Sequence, residues 1–405
     1  MQHPEVFPAL QLRKDEDRRL RAGHLWVFSN EVDIAKTPLT GFEPGAPVVI
    51  QTHAGKPLGT GYVNPRSLIA ARLVSRDHEH PWNASLIVHR LKVALALRER
   101  LFDTPHYRLV HGEGDGLPGL VVDRFGDVLI AQFTTAGIER MKVQVIEALV
   151  KVIAPAAILL RNDGGMRALE GLEPYTEVAY GSLPAMLEVV EDGLRFEVPS
   201  QGGQKTGWFY DQRDNRRLLA RFVASQTAGA KVLDVFAYLG AWGLRAKAAG
   251  AREVVCVDSS KPALEGLARN AELNSLAVTS RAGDAFDVLK SLRDERERFD
   301  VVVVDPPAFI KRRKDHKQGL TAYHRINQMA IQLLEKDGIL VSCSCSHHLG
   351  RDELTQVVRA EARHLDRTAQ VLAFGGQGPD HPVHPAIPET EYLKCVVARI
   401  LPGSF

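Results

Sequence analysis

The order of apolar and polar positions changes texture twice along the chain. Up to about residue 80, short runs rich in β-type residues, APVVIQ, PLGTGYV and SLIAARLV, are separated by Gly, Pro and Asn, which predicts a small β-barrel. Residues 84–103 then carry apolar side chains at helical spacing and predict a connecting helix. Strand patterns return over residues 107–198. Two apolar runs in GLVVDRFGDVLIAQF flank Phe125-Gly126-Asp127 as in a hairpin, and ERMKVQVIEALVKVI has a helical period. The stretches AILLRNDGGMRALEG and LRFEV read as extended pieces, so this region predicts a mixed α+β domain.

From about residue 205 strands and helices alternate. AKVLDVF, REVVCVD, FDVVVVDPP and ILVSC read as buried strands, interleaved with helical GAWGLRAKAAG, KPALEGLARNAELNSL, AFDVLKSL and HRINQMAIQLLEKDG, before EYLKCVVARIL closes the chain. This alternation predicts a mostly parallel sheet covered on both faces. Ligands in such sheets bind beyond the carboxyl ends of the strands, where the strand order reverses. The expected protein is multi-domain: a β-barrel over 1–80, an α+β domain over 81–200 and an α/β domain over 201–405.

Composition narrows the functions available. The hydrophobic fraction of 45% and charged fraction of 25% belong to a globular chain with an ample core. No stretch approaches the roughly 18 apolar residues of a membrane helix. The opening MQHPEVFPALQLRKDEDRRLR lacks an apolar signal core, and four cysteines cannot form a disulfide framework, so a cytoplasmic location without membrane attachment is expected. Net charge is only +2, so a nucleic-acid partner has to be gripped by local basic patches.

Three acidic residues close successive strands. Asp234 ends the first, and Gly240 and Gly243 follow at the start of a helix, where they let backbone approach a ligand. Asp258 ends the second strand, where a carboxylate can take both ribose hydroxyls, or simply cap a helix. Asp284 ends the third, with the same two readings. The spacing lacks the full G-x-G-x-x-G pattern, which counts against a dinucleotide, and an adenosine-bearing cation suits three carboxylates better than a pyrophosphate. The fourth strand runs into Asp305-Pro306-Pro307-Ala308-Phe309. Two prolines stiffen that loop and hold Asp305 at the sheet edge, and Phe309 can stack on a flat base or pack in the core.

These motifs, in this order, resemble those of class I S-adenosylmethionine-dependent methyltransferases. GHLWVFSNEV and PGAPVVI, GDGLPGLVVDRFGDVLIAQF and QKTGWFYDQRDNRRLLA extend the likeness over nearly the whole chain. They resemble the PUA RNA-binding domain, the middle domain and the pre-catalytic segment of bacterial large-subunit rRNA cytosine-5 methyltransferases. The resemblance implies a PUA barrel, an α+β domain and a Rossmann-like catalytic domain. It further implies S-adenosyl-L-methionine bound by Asp234, Phe236, Gly240, Asp258, Asp284 and Asp305, and 23S rRNA or a large-subunit precursor as partner. A second copy of the chain is also among the partners considered.

Cytosine C5 takes a methyl group only after a thiolate adds to C6, so such an enzyme needs one accessible cysteine. In GILVSCSCSHHLG, Cys343 lies within the apolar run and Cys345 at or past its end, which favours Cys345 as nucleophile and leaves Cys343 as the fallback. Cys256 and Cys395 read as core filler. Asp305 is the expected catalytic partner at cytosine N3. Pro307 and Ala308 stand where other RNA cytosine-5 methyltransferases place a second thiol, so the base that removes the C5 proton has no assignment. A zinc site from Cys343, Cys345, His347 and His348 fits poorly, because zinc motifs separate their cysteines further. For RNA, the basic run Lys311, Arg312 and Arg313 is the expected phosphate contact, with Phe309 as a stacking residue and Lys205, Gln212, Arg213 and Asn215 reading a base edge or clamping the cofactor. Two other functions remain open: methyl transfer to a base nitrogen without a thiol, and a non-catalytic RNA-binding assembly factor.

Overall fold

The computed structural model describes residues 7–77, 80–202 and 206–403. Lys205 lies outside them. The chain forms two compact units, Met1–Leu187 with Pro199–Trp208 and Pro379–Thr390, and Glu188–Val198 with Phe209–Gly378 and Glu391–Phe405.

The first unit holds two sheets. The strands Ala9–Gln11, Ala46–Gln51, Pro57–Val63, Ala71–Ser75 and Trp26–Val27 pair in that spatial order, and a Leu12–Val32 bridge extends the pairing. Leu10, Val48, Ile50, Val63 and Leu73 alternate inward to fill this small barrel. The second sheet runs Tyr175–Gly181, Ala157–Asn162, Val128–Phe133, Leu120–Phe125 and His106–His111, and the hairpin expected around Phe125-Gly126-Asp127 closes with Phe125 paired to Val128. The helices Ala84–Leu101 and Lys142–Ile153 bury Ile87, Leu91, Val145 and Leu149 in one core with this sheet. The piece expected to be extended throughout, AILLRNDGGMRALEG, is a strand only to Asn162 and then turns into the short helix Met166–Leu169.

The second unit is built on seven strands: β1 Lys231–Val235, β2 Glu253–Asp258, β3 Thr279–Ala282, β4 Phe299–Val304, β5 Leu334–Ser344, β6 Arg367–Gly376 and β7 Lys394–Pro402. Their spatial order is β3-β2-β1-β4-β5-β7-β6. The first five run parallel, and β7 enters antiparallel between β5 and β6. Six helices accompany them: α1 Arg213–Ala224, α2 Ala241–Ala248, α3 Lys261–Leu273, α4 Ala285–Asp294, α5 His316–Leu333 and α6 Arg351–His364. Val232, Leu233, Val301, Val302, Val303, Leu340 and Val341 are all fully buried, as continuous β-branched and leucine runs in a two-face-covered sheet should be. The chain order reverses on either side of β1, so the carboxyl ends of β1, β2 and β4 open onto one crevice. No helix among the described residues is long and apolar enough to cross a membrane.

Candidate active site

Asp234 sits in the central strand with none of its side chain exposed. Its Oδ2 accepts the Gly243 N–H at 2.9 Å, while its Oδ1 has no hydrogen-bond partner among the described residues. Loss of water, reinforced by the nearby Asp305 and Asp258 carboxylates, pushes its carboxyl up to about 7. The turn that follows is tightly wound: Phe236 and Tyr238 adopt φ of 71° and 50°, conformations side chains rarely take. Asp258 holds it there, accepting the Tyr238 N–H at 2.9 Å and the Ser260 N–H at 2.8 Å. Asp284 is exposed and caps α4, taking the Phe286 N–H at 2.9 Å.

The two glycines have another explanation than ligand approach. A Cβ on Gly243 would lie 2.5 Å from Cys256 Sγ, and one on Gly240 would lie 2.8 Å from Leu267 Cγ. Helix packing therefore demands both, and Gly240 also takes φ of +87° at the start of α2.

Asp305 follows β4 and is clamped from both sides. Its Oδ1 accepts Gln212 Nε2 at 2.9 Å and its Oδ2 accepts Trp242 Nε1 at 3.0 Å. Phe309 is half-buried in an aromatic cluster, with ring centroids 5.0 Å from Tyr323, 6.4 Å from Phe286 and 6.5 Å from Phe236.

Of the four cysteines, Cys256, Cys343 and Cys395 are fully buried and Cys345 is partly exposed. Cys343 lies in register with Cys395, and burial pushes its thiol well up. Cys345 comes one residue after β5 ends, where Ser344 and Ser346 are tied to the Tyr323 hydroxyl at 2.8 and 2.9 Å. Parallel pairing sets Val304 beside Ser342, so Asp305 and Cys345 leave neighbouring strands at the same end of the sheet. His347 and His348 are exposed, and among the described residues no group of three or more metal-ligating side chains gathers.

Three residues expected at an RNA or cofactor surface are buried instead. Gln212 is 3% exposed, Arg213 4% and Asn215 2%. Gln212 holds Asp305 and accepts Asn215 Nδ2 at 2.7 Å, Asn215 also reaches the Gly376 carbonyl at 3.0 Å, and Arg213 lies 5.3 Å over the Tyr210 ring. Gln212, braced by Asn215, thus fixes Asp305 from within the protein. Lys311, Arg312 and Arg313 are exposed, and Arg312 pairs with Asp315 at 2.9 Å. Sequence reading passed over Trp242, since nothing in GAWGLR marks a donor, and over Lys394, whose signal was a charge set beside the apolar run CVVA in EYLKCVVARIL.

Residues 108–393 match the family model of S-adenosylmethionine-dependent methyltransferases, and residues 10–76 match a PUA-like domain. The chain is 35% identical over 403 residues to "Ribosomal RNA large subunit methyltransferase I" of Klebsiella pneumoniae (strain 342), covering 98% of this chain and 99% of that protein. It is 37% identical over 400 residues to the protein of the same name from Shewanella denitrificans, covering 96% and 99%. A solved methyltransferase structure complexed with SAH superposes with a TM-score of 0.82 at 20% identity, over 97% of this chain and all of that one, which shows a shared fold.

Proposed function

Because the chain belongs to the S-adenosylmethionine-dependent methyltransferases, we propose that it methylates C5 of a cytosine in 23S ribosomal RNA through a covalent adduct on Cys345. The observation that carries the chemistry is the position of Cys345, the one cysteine with exposed surface, just past the end of β5 and beside the strand that delivers Asp305. The rRNA substrate class rests on the relatives named above and on the PUA-like barrel.

The residues at the strand ends fit the cofactor. A carboxylate oxygen on Asp234 without a hydrogen-bond partner among the described residues, a turn pinned by Asp258 and an exposed Asp284 suit a ligand that carries hydroxyls, an amine and positive charge. S-adenosylmethionine, when bound there, supplies an electrophilic methyl group.

The chain's own residues do the rest. The Cys345 thiolate adds to C6, forming an S–C6 bond as the C5–C6 π pair moves onto the ring and makes C5 nucleophilic. Asp305, oriented by Gln212 and Trp242, meets the N3 side of the ring in its protonated form and donates that proton to N3, which makes C6 more electrophilic. After methylation the C5 proton passes to water, its C–H electron pair re-forms the C5–C6 double bond, and the C6–S bond breaks with its pair on sulfur, which returns the Cys345 thiolate. Cys345→Ala should abolish 5-methylcytosine in rRNA, mapped by bisulfite sequencing, while calorimetry still registers S-adenosylmethionine. Full methylation by that variant would sink the reading.

A further inference from the structure

Lys394 opens β7 directly across from Ser344 and is only 5% exposed. Its Nζ donates to the Ser346 carbonyl at 2.6 Å and to the Tyr392 carbonyl at 2.8 Å. The Lys394 backbone is thus paired with the residue before Cys345, and its ammonium is bonded to the carbonyl of the residue after it. Two of the ammonium's three N–H groups serve those carbonyls, leaving one without an acceptor among the described residues.

A buried ammonium needs an anion or a full set of acceptors. Among the described residues no carboxylate lies within ion-pair distance of Lys394. The charged and titratable groups that face it come from each neighbouring element. Cys345 follows β5, Tyr323 comes from α5 and Arg351 from α6, and Glu391 and Tyr392 precede β7. Glu391 is exposed and pairs with Arg351 at 3.1 Å. Glu391 also acts on the ammonium as a negative charge but is already paired with Arg351, and Cys345 is the larger source of negative charge there.

We propose that Lys394 is a positioning residue that holds Cys345 as a thiolate, ready to attack. The Cys345 S–H bond breaks, the proton passes to solvent, and the electron pair stays on sulfur against the Lys394 ammonium. Tyr323, bound to Ser344 and Ser346, fixes the short backbone segment on which the sulfur rides. Burial lowers the Lys394 ammonium to about 8, and the Cys345 charge acts in the opposite direction, as a facing anion should.

The role in catalysis rests on Cys345 being the nucleophile, but the thiolate can be tested without RNA. Free full-length protein is treated with iodoacetamide across pH 5 to 10, and alkylation of the Cys345 peptide is followed by mass spectrometry. The other three cysteines are fully buried, so mapping isolates this one. The wild-type rate should inflect at least one pH unit below the ~8.5 of a free cysteine. Lys394→Gln should slow alkylation at pH 6.5 roughly tenfold or more and move the inflection up, and Lys394→Arg should restore it. A wild-type inflection at or above the free-cysteine value overturns the proposal even if the glutamine variant fails to fold. So does an inflection that the glutamine variant leaves in place. A low, Lys394-dependent inflection without any adduct on cytosine would uphold the ion pair and remove only its use in methyl transfer.

Discussion

At the scale of single residues, the site depends on a carboxylate kept in an unfavourable place. Asp234 has no exposed surface, and its carboxyl lies at about 7 because burial and two neighbouring acids oppose its charge. Between about pH 4 and pH 7 the folded chain therefore keeps a proton there that the unfolded chain has lost. Stability falls as pH rises through that window and levels off above it. Asp234→Asn keeps an oxygen for the Gly243 N–H and removes the charge. Urea titrations at pH 5 and pH 8 should show a smaller loss of stability between the two pH values than in wild type, together with weaker S-adenosylmethionine binding. Cys345 was legible in the sequence because strand register puts it past the end of an apolar run. Gln212 and Asn215 were not: polar residues in a charged segment look like surface, and only tertiary contacts bury them.

At the scale of elements, apolar period and length decided what could be read. The parallel strands β1, β2 and β4 are continuous aliphatic runs, and all three form where the pattern placed them. β6 was missed because its sequence, RTAQVLAFGG, mixes polar and small residues on an edge strand that is mostly half-exposed. The end of α5 was read too late, since EKDG continues a helical pattern yet belongs to β5. The contact between α2 and β2 was also hidden, because a glycine demanded by packing looks identical to one demanded by a ligand. Gly243→Ala would drive a methyl group against Cys256 and displace the N–H that Asp234 accepts. Overpacking of this kind should destabilise by about 1–3 kcal/mol in urea unfolding, and adding Cys256→Ala should recover most of it.

At the scale of the whole molecule, the chain passes between its two units five times, after Leu187, Val198, Trp208, Gly378 and Thr390. A division into three consecutive blocks could not foresee this. The segment Pro379–Thr390 carries no compositional mark, yet within the first unit Asp380 accepts Arg98 Nη2 at 2.7 Å and the Arg108 N–H at 3.0 Å. For the proposed RNA binding net charge is no guide: at +2 it would rest on local exposed groups such as Lys311 and Arg313. Lys311→Ala and Arg313→Ala together should lower the slope of log affinity for rRNA against log salt by roughly two, with little change in S-adenosylmethionine affinity. The central claim, that Cys345 bonds to cytosine C6, is tested most directly with a 23S rRNA fragment containing 5-fluorocytosine, incubated with protein and S-adenosylmethionine. Fluorine at C5 cannot leave as a proton does, so the covalent complex should survive denaturation, and peptide mapping should find the nucleotide on Cys345. A methylated product without any covalent complex, or an adduct on another residue, would contradict it.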